Sequence, residues 1–387
     1  MRWTTIFKSK FFTSQYTIIA LGVLLALFAT IINIDSNNFD IYTGVFRHTL
    51  NRTSLFAQYP EEYIDSNHYG PLFSLIIAPF SFPPRWVGLL LWHVALAMFL
   101  YWSIRKSTFS IRQQLFIFWF CANELYTALS LSQFNVAVAA LFILTYASCE
   151  RGEPMYAALC VVVGTFVKIY SIAGLALFIF MPRRLWAKAF AWLVVWSIVA
   201  FCLPMVVSSP SYVVSQYFEW YQSLTGKNTE NLFAFYQNIS VLGIFRKVSG
   251  NPNYSDLLIL VPAMLIFAMP FLRRKQYANV SFRSTILASV MMFVVLFSTG
   301  SESCSYIIAL IGVVIWYFSS TWQRSKWDLA LLIFVFVVTS MSPTDIFPVK
   351  VKSQLIQPYA LKSLPVLLVW LKLTFELCKR DYSQSRA

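Results

Sequence analysis

Three charged side chains carry the chemistry this chain could do: Asp40, Lys168 and Arg246. Asp40 stands in Asn37-Asn38-Phe39-Asp40-Ile41-Tyr42, a polar stretch directly after the first long apolar run. A carboxylate there either complements the dipole at a helix start or takes a proton from a hydroxyl. Lys168 ends an otherwise apolar run, where a cation is costly and a fixed anion would satisfy it. Arg246 adds a planar, permanently charged fork of the kind that matches phosphate oxygens. One proton acceptor and two cations suit a phosphate-bearing substrate and a second substrate that must lose a proton.

Shorter polar groups accompany these three. They are Asn67-His68-Tyr69-Gly70-Pro71, Ser130-Leu131-Ser132-Gln133-Phe134-Asn135, Lys168-Ile169-Tyr170 and Tyr236-Gln237-Asn238-Ile239-Ser240. Each has an ordinary reading as turn residues, a snorkelling lysine or interfacial aromatics. Glu302 opens a late apolar run, where it could complement a helix dipole, hold a sugar hydroxyl or orient Lys168. Glu124 falls deep inside another run and needs a partner there; a structural hydrogen bond suits it better than catalysis. The six cysteines form no CxxC pair, and His48, His68 and His93 are scattered. No metal site, cofactor or disulfide framework is expected.

The elements that must position these residues are membrane helices. Of 387 residues, 58% are hydrophobic and 12% charged, against about 25% charged in soluble proteins, and the mean hydropathy is +0.63. The net charge of +14 reads as a topology signal beside membrane spans rather than as a nucleic-acid surface. About twelve apolar runs approach spanning length: 15–33, 86–104, 112–129, 133–149, 154–169, 170–181, 186–207, 255–272, 283–298, 304–320, 327–342 and 360–378. Residues 70–82, ending at Pro83-Pro84, are too short to cross and read as re-entrant. The expected fold is an all-α polytopic bundle, one integral membrane domain over 1–387, with long outer loops at 34–69 and 208–254. In the first loop, Tyr42, Phe46 and Leu50 recur at helical spacing with Arg47 and Asn51 turned away, as in an interfacial helix.

Lys and Arg collect in short cytoplasmic loops. With an inner N-terminus, most of the 30 basic residues fall inside, among them Arg2, Lys8, Lys10, Arg105, Lys106, Arg112 and Arg386. Arg85 is assigned to neither side. The first span has no small-residue cleavage signal and reads as retained. Asp35, Asp40, Glu61, Glu62, Asp65, Glu219, Glu230, Asp256, Glu302 and Asp345 map outside, which marks that side as the working face.

The motifs, in their order, resemble glycosyltransferase family 87 of the GT-C class. The resemblance is carried by Phe39-Asp40-Ile41-Tyr42, Tyr69-Gly70-Pro71-Leu72 with Ala78-Pro79-Phe80, Ser132-Gln133-Phe134-Asn135, Lys168-Ile169-Tyr170, and Gln237-Asn238-Ile239-Ser240 with Arg246. A histidine is expected near Ser303-Cys304-Ser305, and none stands there. The resemblance implies a GT-C-like bundle that takes a hexose from a polyprenyl-phosphate sugar, mannose in the mycobacterial members, and passes it to a lipid- or glycan-linked acceptor hydroxyl. It implies inversion with Asp40 as base, Lys168 and Arg246 on the donor phosphate, and no metal. Tyr42, His68, Tyr69, Gln133, Asn135, Tyr170, Gln237, Asn238 and Glu302 would contact substrate. The expected setting is a bacterial inner membrane with cytoplasmic termini and a periplasmic site. The competing readings are a flippase for a lipid-linked saccharide, in which the same cations would hold phosphate; an O-antigen-type polymerase; and a structural membrane protein. A transporter site is expected at the midplane with repeat symmetry, whereas this polar set lies toward one face and the sequence shows no repeat.

Overall fold

Ser14 begins the first long helix by accepting a hydrogen bond from the Tyr16 amide at 3.2 Å, and the apolar run that follows continues unbroken over Gln15–Ile32. In the computed structural model, which describes residues 10–251 and 253–383, the described residues contain helices and no strand. Arg2, Lys8 and Arg386 lie outside them.

Among the described residues, three helices are long and apolar enough to cross a membrane: Gln15–Ile32, Arg85–Lys106 and Arg183–Val206. Shorter apolar helices cover Pro154–Val167, Ile169–Phe180, Leu257–Leu272, Val280–Leu296 and Ser303–Phe318. The count of twelve read from the apolar runs is therefore not reproduced as twelve long helices. The run at 112–129 breaks at Cys121 into Ile111–Phe120 and Ala122–Ser130, and 327–342 becomes Lys326–Phe334 followed by a wider turn over Val335–Ser340. Composition reports how apolar a run is; continuity depends on local geometry.

The chain divides into two compact units, one of residues up to Phe118 with Leu125–Gly226, the other of Trp119–Glu124 with the residues from Lys227 onward. In the first, Arg85–Lys106 packs on Gln15–Ile32 and on Asn135–Arg151. Asn135–Arg151 is buried along nearly its whole length, so no polar face interrupts its pattern. His93 pins these elements. Its Nδ1 lies 2.9 Å from Thr30 Oγ1 and its Nε2 3.0 Å from Ser132 Oγ. Trp92 Nε1 donates to the Ser132 carbonyl at 2.9 Å, and Ser36 Oγ reaches Ser132 Oγ at 3.0 Å. The 130–135 turn is thus fixed beside the start of the first loop.

That loop begins with the helix Asn37–Asn51, capped by Ser36 and packed on the nine-residue helix Phe73–Ser81. Tyr42 and Phe46 face inward as the spacing predicts. Leu50 does not: it is 48% exposed, and Phe39, Val45 and Thr49 fill the buried face. The apolar face meets protein, so its width follows the Phe73–Ser81 surface rather than a strict i, i+4 row.

In the second unit, Val280–Leu296 packs against Ser303–Phe318 and Leu364–Lys379. Its buried charges are matched. Glu376 accepts from Trp316 Nε1 at 2.8 Å and from Arg324 Nη1 at 2.9 and 3.0 Å.

Gly88 sets how closely the second long helix approaches the residues before it. A Cβ there would lie 2.2 Å from the Phe80 carbonyl oxygen and 3.2 Å from the Phe39 ring. Gly88→Ala is expected to cost about 1–3 kcal/mol by overpacking against backbone, read as a lower unfolding temperature in detergent. Gly226→Ala, where nothing lies within 4 Å, should leave that temperature unchanged or raise it.

Candidate active site

Asp40 lies in the first turn of Asn37–Asn51, where a negative charge complements the helix dipole. Its carboxylate is held side-on by Arg85, the first residue of Arg85–Lys106. Arg85 Nε donates to Oδ1 at 2.7 Å and Nη2 to Oδ2 at 2.8 Å. The same guanidinium donates to the Ile34 carbonyl, reaches the Ser36 carbonyl at 3.4 Å and lies 3.6 Å from Asp35. Bidentate pairing fixes orientation as well as charge. Both side chains remain about one third exposed, so the pair is open to solvent or to a ligand. The sequence reading left Arg85 unassigned, because its partner lies 45 residues away and no local pattern announces it.

Tyr69 is the second centre. Its hydroxyl donates to Gln133 Oε1 at 2.5 Å, and accepts from the Phe134 amide and from Tyr42 OH, each at 3.2 Å. Its ring stacks on Tyr42 at 5.2 Å and meets the edge of Phe73 at 4.8 Å. Lys168 Nζ sits 5.5 Å from the Tyr69 ring centre and 5.2 Å from that of Tyr170, a separation at which cation–π attraction acts. Lys168 occupies the extended break between Pro154–Val167 and Ile169–Phe180, where the carbonyl end of the first helix favours a cation. Asn135 is buried in the first turn of Asn135–Arg151. Four stretches singled out by sequence therefore meet around one phenol.

The Tyr69 backbone is also held. Asn67 is buried, accepts from the Tyr69 amide at 3.0 Å and donates to its carbonyl at 2.8 Å. The Gly70 amide donates to the Val167 carbonyl at 3.1 Å. A Cβ on Gly70 would come within 2.1 Å of the Phe166 carbonyl oxygen, so only glycine seats the loop at this helix end. His68 Nδ1 pairs with Ser223 Oγ at 2.8 Å, and its carbonyl accepts from Trp220 Nε1 at 3.0 Å. His68 thus ties this segment to the helix Pro210–Glu230.

In the second unit the chosen residues form and fasten turns. Asn238, buried with φ +51°, accepts from Ser240 Oγ at 2.7 Å, and Ser240 caps the helix Val241–Ser249. Gln237 lends its carbonyl to Lys247 Nζ at 3.1 Å. Arg246, expected to face donor phosphate, is 2% exposed. Its Nη2 donates to Asp256 Oδ1 at 2.7 Å and to the Tyr254 carbonyl at 3.2 Å, and its guanidinium stacks 4.3 Å from the Tyr254 ring. Its charge is engaged inside the fold. Glu302 forms a capping box with Ser305. The partner of Glu124 is Lys362, whose Nζ reaches the carboxylate at 3.0 and 3.2 Å and the Ser303 carbonyl and hydroxyl at 3.0 and 2.8 Å. This pair, 238 residues apart, holds the loop that carries Glu302, and sequence reasoning missed it for the same reason as Arg85.

Residues 67–299, more than half of the chain, match the model of glycosyltransferase family 87. The chain belongs to that family. It is therefore a membrane-embedded glycosyltransferase, which takes a sugar donor and an acceptor. No curated protein matches it. The family-87 match includes Tyr69, Gln133, Lys168 and Arg246 and begins after Asp40, so the place of Asp40 rests on its geometry.

His48 lies in the last turn of the helix carrying Asp40; it is buried, stacked on Tyr59 at 3.9 Å and 2.9 Å from Thr53 Oγ1. Its Nε2 lies 3.4 Å from Glu62, which also takes Arg47. Burial lowers the His48 pKa below its usual 6.5, with Glu62 opposing. The folded state thus favours the neutral ring, and the contribution to stability is full above about pH 6.5 and lost as pH falls below it. Hydrogen exchange at residues 45–53, corrected for intrinsic rates, should accelerate between pH 7.5 and 5.5. His48→Gln should remove most of that difference.

Proposed function

We propose that the protein transfers a hexose from a polyprenyl-phosphate sugar to a lipid- or glycan-linked hydroxyl, by a single inverting displacement at the outer face of a bacterial inner membrane. The observation that carries this reading is the convergence on Tyr69 of the Asp40 helix, the Gln133 turn and the Lys168 helix break. A carboxylate, an aromatic floor and a lysine at a helix end suit a sugar joined to phosphate.

In this mechanism Asp40 takes the proton of the acceptor hydroxyl as its oxygen bonds to the anomeric carbon. The bond from that carbon to the phosphate oxygen breaks with its electron pair on oxygen. A singly charged phosphodiester becomes a doubly charged polyprenyl phosphate, and the added charge needs cations. Lys168 supplies one and Arg85 the other. At rest Arg85 occupies both Asp40 oxygens; an arriving donor phosphate competes for the guanidinium and releases the carboxylate to act as base. Tyr42, His68, Gln133, Asn135 and Tyr170 are assigned to substrate contact or its support. Arg246, bound to Asp256, is assigned to holding the second outer loop, together with Gln237 and Asn238, and Glu302 to the loop before Ser303–Phe318.

The topology belongs to the same proposal: about twelve membrane crossings, cytoplasmic termini, and Phe73–Ser81 as a re-entrant piece. Nine helical residues reach only about 13 Å, well short of a bilayer core of about 30 Å. The distribution of Lys and Arg supports this sidedness.

Incubation of the purified protein with a panel of polyprenyl-phosphate sugars should release polyprenyl phosphate in the presence of acceptor. Asp40→Asn is expected to lower turnover by about 10²–10⁴-fold, the usual worth of a general base, while donor binding survives. Normal turnover by this variant would overturn its role. Arg85→Lys keeps the charge and loses the fork. It should raise the donor KM and lower turnover at least tenfold; wild-type kinetics would remove Arg85 from the mechanism.

A further inference from the structure

The helix that begins at Arg85 ends at Arg105-Lys106. Twenty residues at 1.5 Å each place Arg105 about 30 Å from Arg85 along the axis, one bilayer core away from the Asp40 pair. At that end the first unit forms a half-open cavity of about 260 Å³. Arg105, Gln114, Gln15 and Tyr101 give it polar walls, and Leu115 and Phe118 line its apolar side.

Arg105, itself partly open to solvent, lines this cavity. Its Nη1 donates to Gln114 Oε1 at 2.8 Å, and the Gln114 amide, itself 7% exposed, donates on to the Phe109 carbonyl at 2.9 Å. The partner of Arg105 is thus a neutral amide, and among the described residues no carboxylate lines the cavity. Most other arginines of the outer loops and the second unit's core have an acid: Arg85 has Asp40, Arg246 has Asp256 and Arg324 has Glu376. Lys106 and Arg112, both exposed, add positive field at the mouth. Tyr16 and Trp102, next in sequence to the lining residues Gln15 and Tyr101, are exposed and are residue types that settle at the headgroup level.

We propose that this cavity binds the phosphate headgroup of an anionic phospholipid. Its volume lies below the range of about 300–1,000 Å³ typical of whole small-molecule sites, so it takes a headgroup and leaves the acyl chains outside. The exposed apolar face of Gln15–Ile32, with Leu24 and Phe28, offers those chains a surface. Basic pockets between membrane helices recognise anionic headgroups through this chemistry, and Arg105 presents the planar fork that suits phosphate oxygens.

The test is native mass spectrometry of the full-length protein delipidated in detergent and titrated with phosphatidylglycerol or phosphatidylcholine. Wild type should retain phosphatidylglycerol at least fivefold better. Arg105→Gln should abolish that preference, Arg105→Lys should keep part of it, and Lys106→Gln, with the same charge change outside the cavity, should keep most of it. Equal loss in Arg105→Gln and Lys106→Gln, or none in either, would overturn the proposal. Displacement of the lipid by millimolar inorganic phosphate would reassign the site to a soluble anion and also overturn it. Because Arg105→Gln could disturb folding, wild type is also labelled with phosphatidylglycerol carrying a photoreactive headgroup. Labelled peptides from residues 101–118 support the site, and labelling confined elsewhere refutes it.

Discussion

The hydroxyl of Tyr69 ties the first unit together: it takes hydrogen bonds from Tyr42 and the Phe134 amide and gives one to Gln133. A buried phenol needs such partners, since an unmatched polar group removed from water costs several kcal/mol. The segments carrying those partners must therefore end near each other, and Gly70 permits it by resting against the Phe166 and Val167 carbonyls where a Cβ would collide. Lys168 reaches the same ring because the helix breaks there. A satisfied hydrogen-bond network and a steric allowance at one residue together set the frame on which the sugar-transfer chemistry is proposed.

The ion pair between Asp40 and Arg85 adds an electrostatic constraint to that frame. Two parallel hydrogen bonds hold the carboxylate in one orientation, while partial exposure leaves the pair able to exchange partners. Such a surface pair contributes little stability, about 0–1 kcal/mol. In the proposed mechanism it prepares the site for a charged ligand rather than fastening the fold. The deeply buried pair of Lys362 with Glu124 is the opposite case. Removing one partner there would strand a charge, at about 3–5 kcal/mol, so it acts as a fastening for the Ser303 loop. Arg246 with Asp256 belongs with the second kind: a phosphate would have to displace an acid already within 2.7 Å.

Arg85–Lys106 links two proposals through its length alone. One end carries the arginine beside Asp40, the other the arginine in the small cavity. A helix of bilayer length sets its terminal cations about one bilayer core apart, so under the two proposals one end would serve the donor phosphate and the other a lipid headgroup.

Membrane character, all-α architecture and family were legible in the chain alone, because these rest on composition and on short motifs read locally. The sequence also picked out Tyr42, Tyr69, Gln133 and Lys168, whose order along the chain was the signal, and the structure gathers them around one ring. Tertiary structure alone decided which charges meet. Asp40 found Arg85 across 45 residues and Glu124 found Lys362 across 238, and no periodicity encodes a distant partner. Tertiary packing also turned Leu50 outward and divided the 112–129 run at Cys121. Hydropathy measures how much a residue gains by leaving water, whereas the packed neighbours decide where it can go.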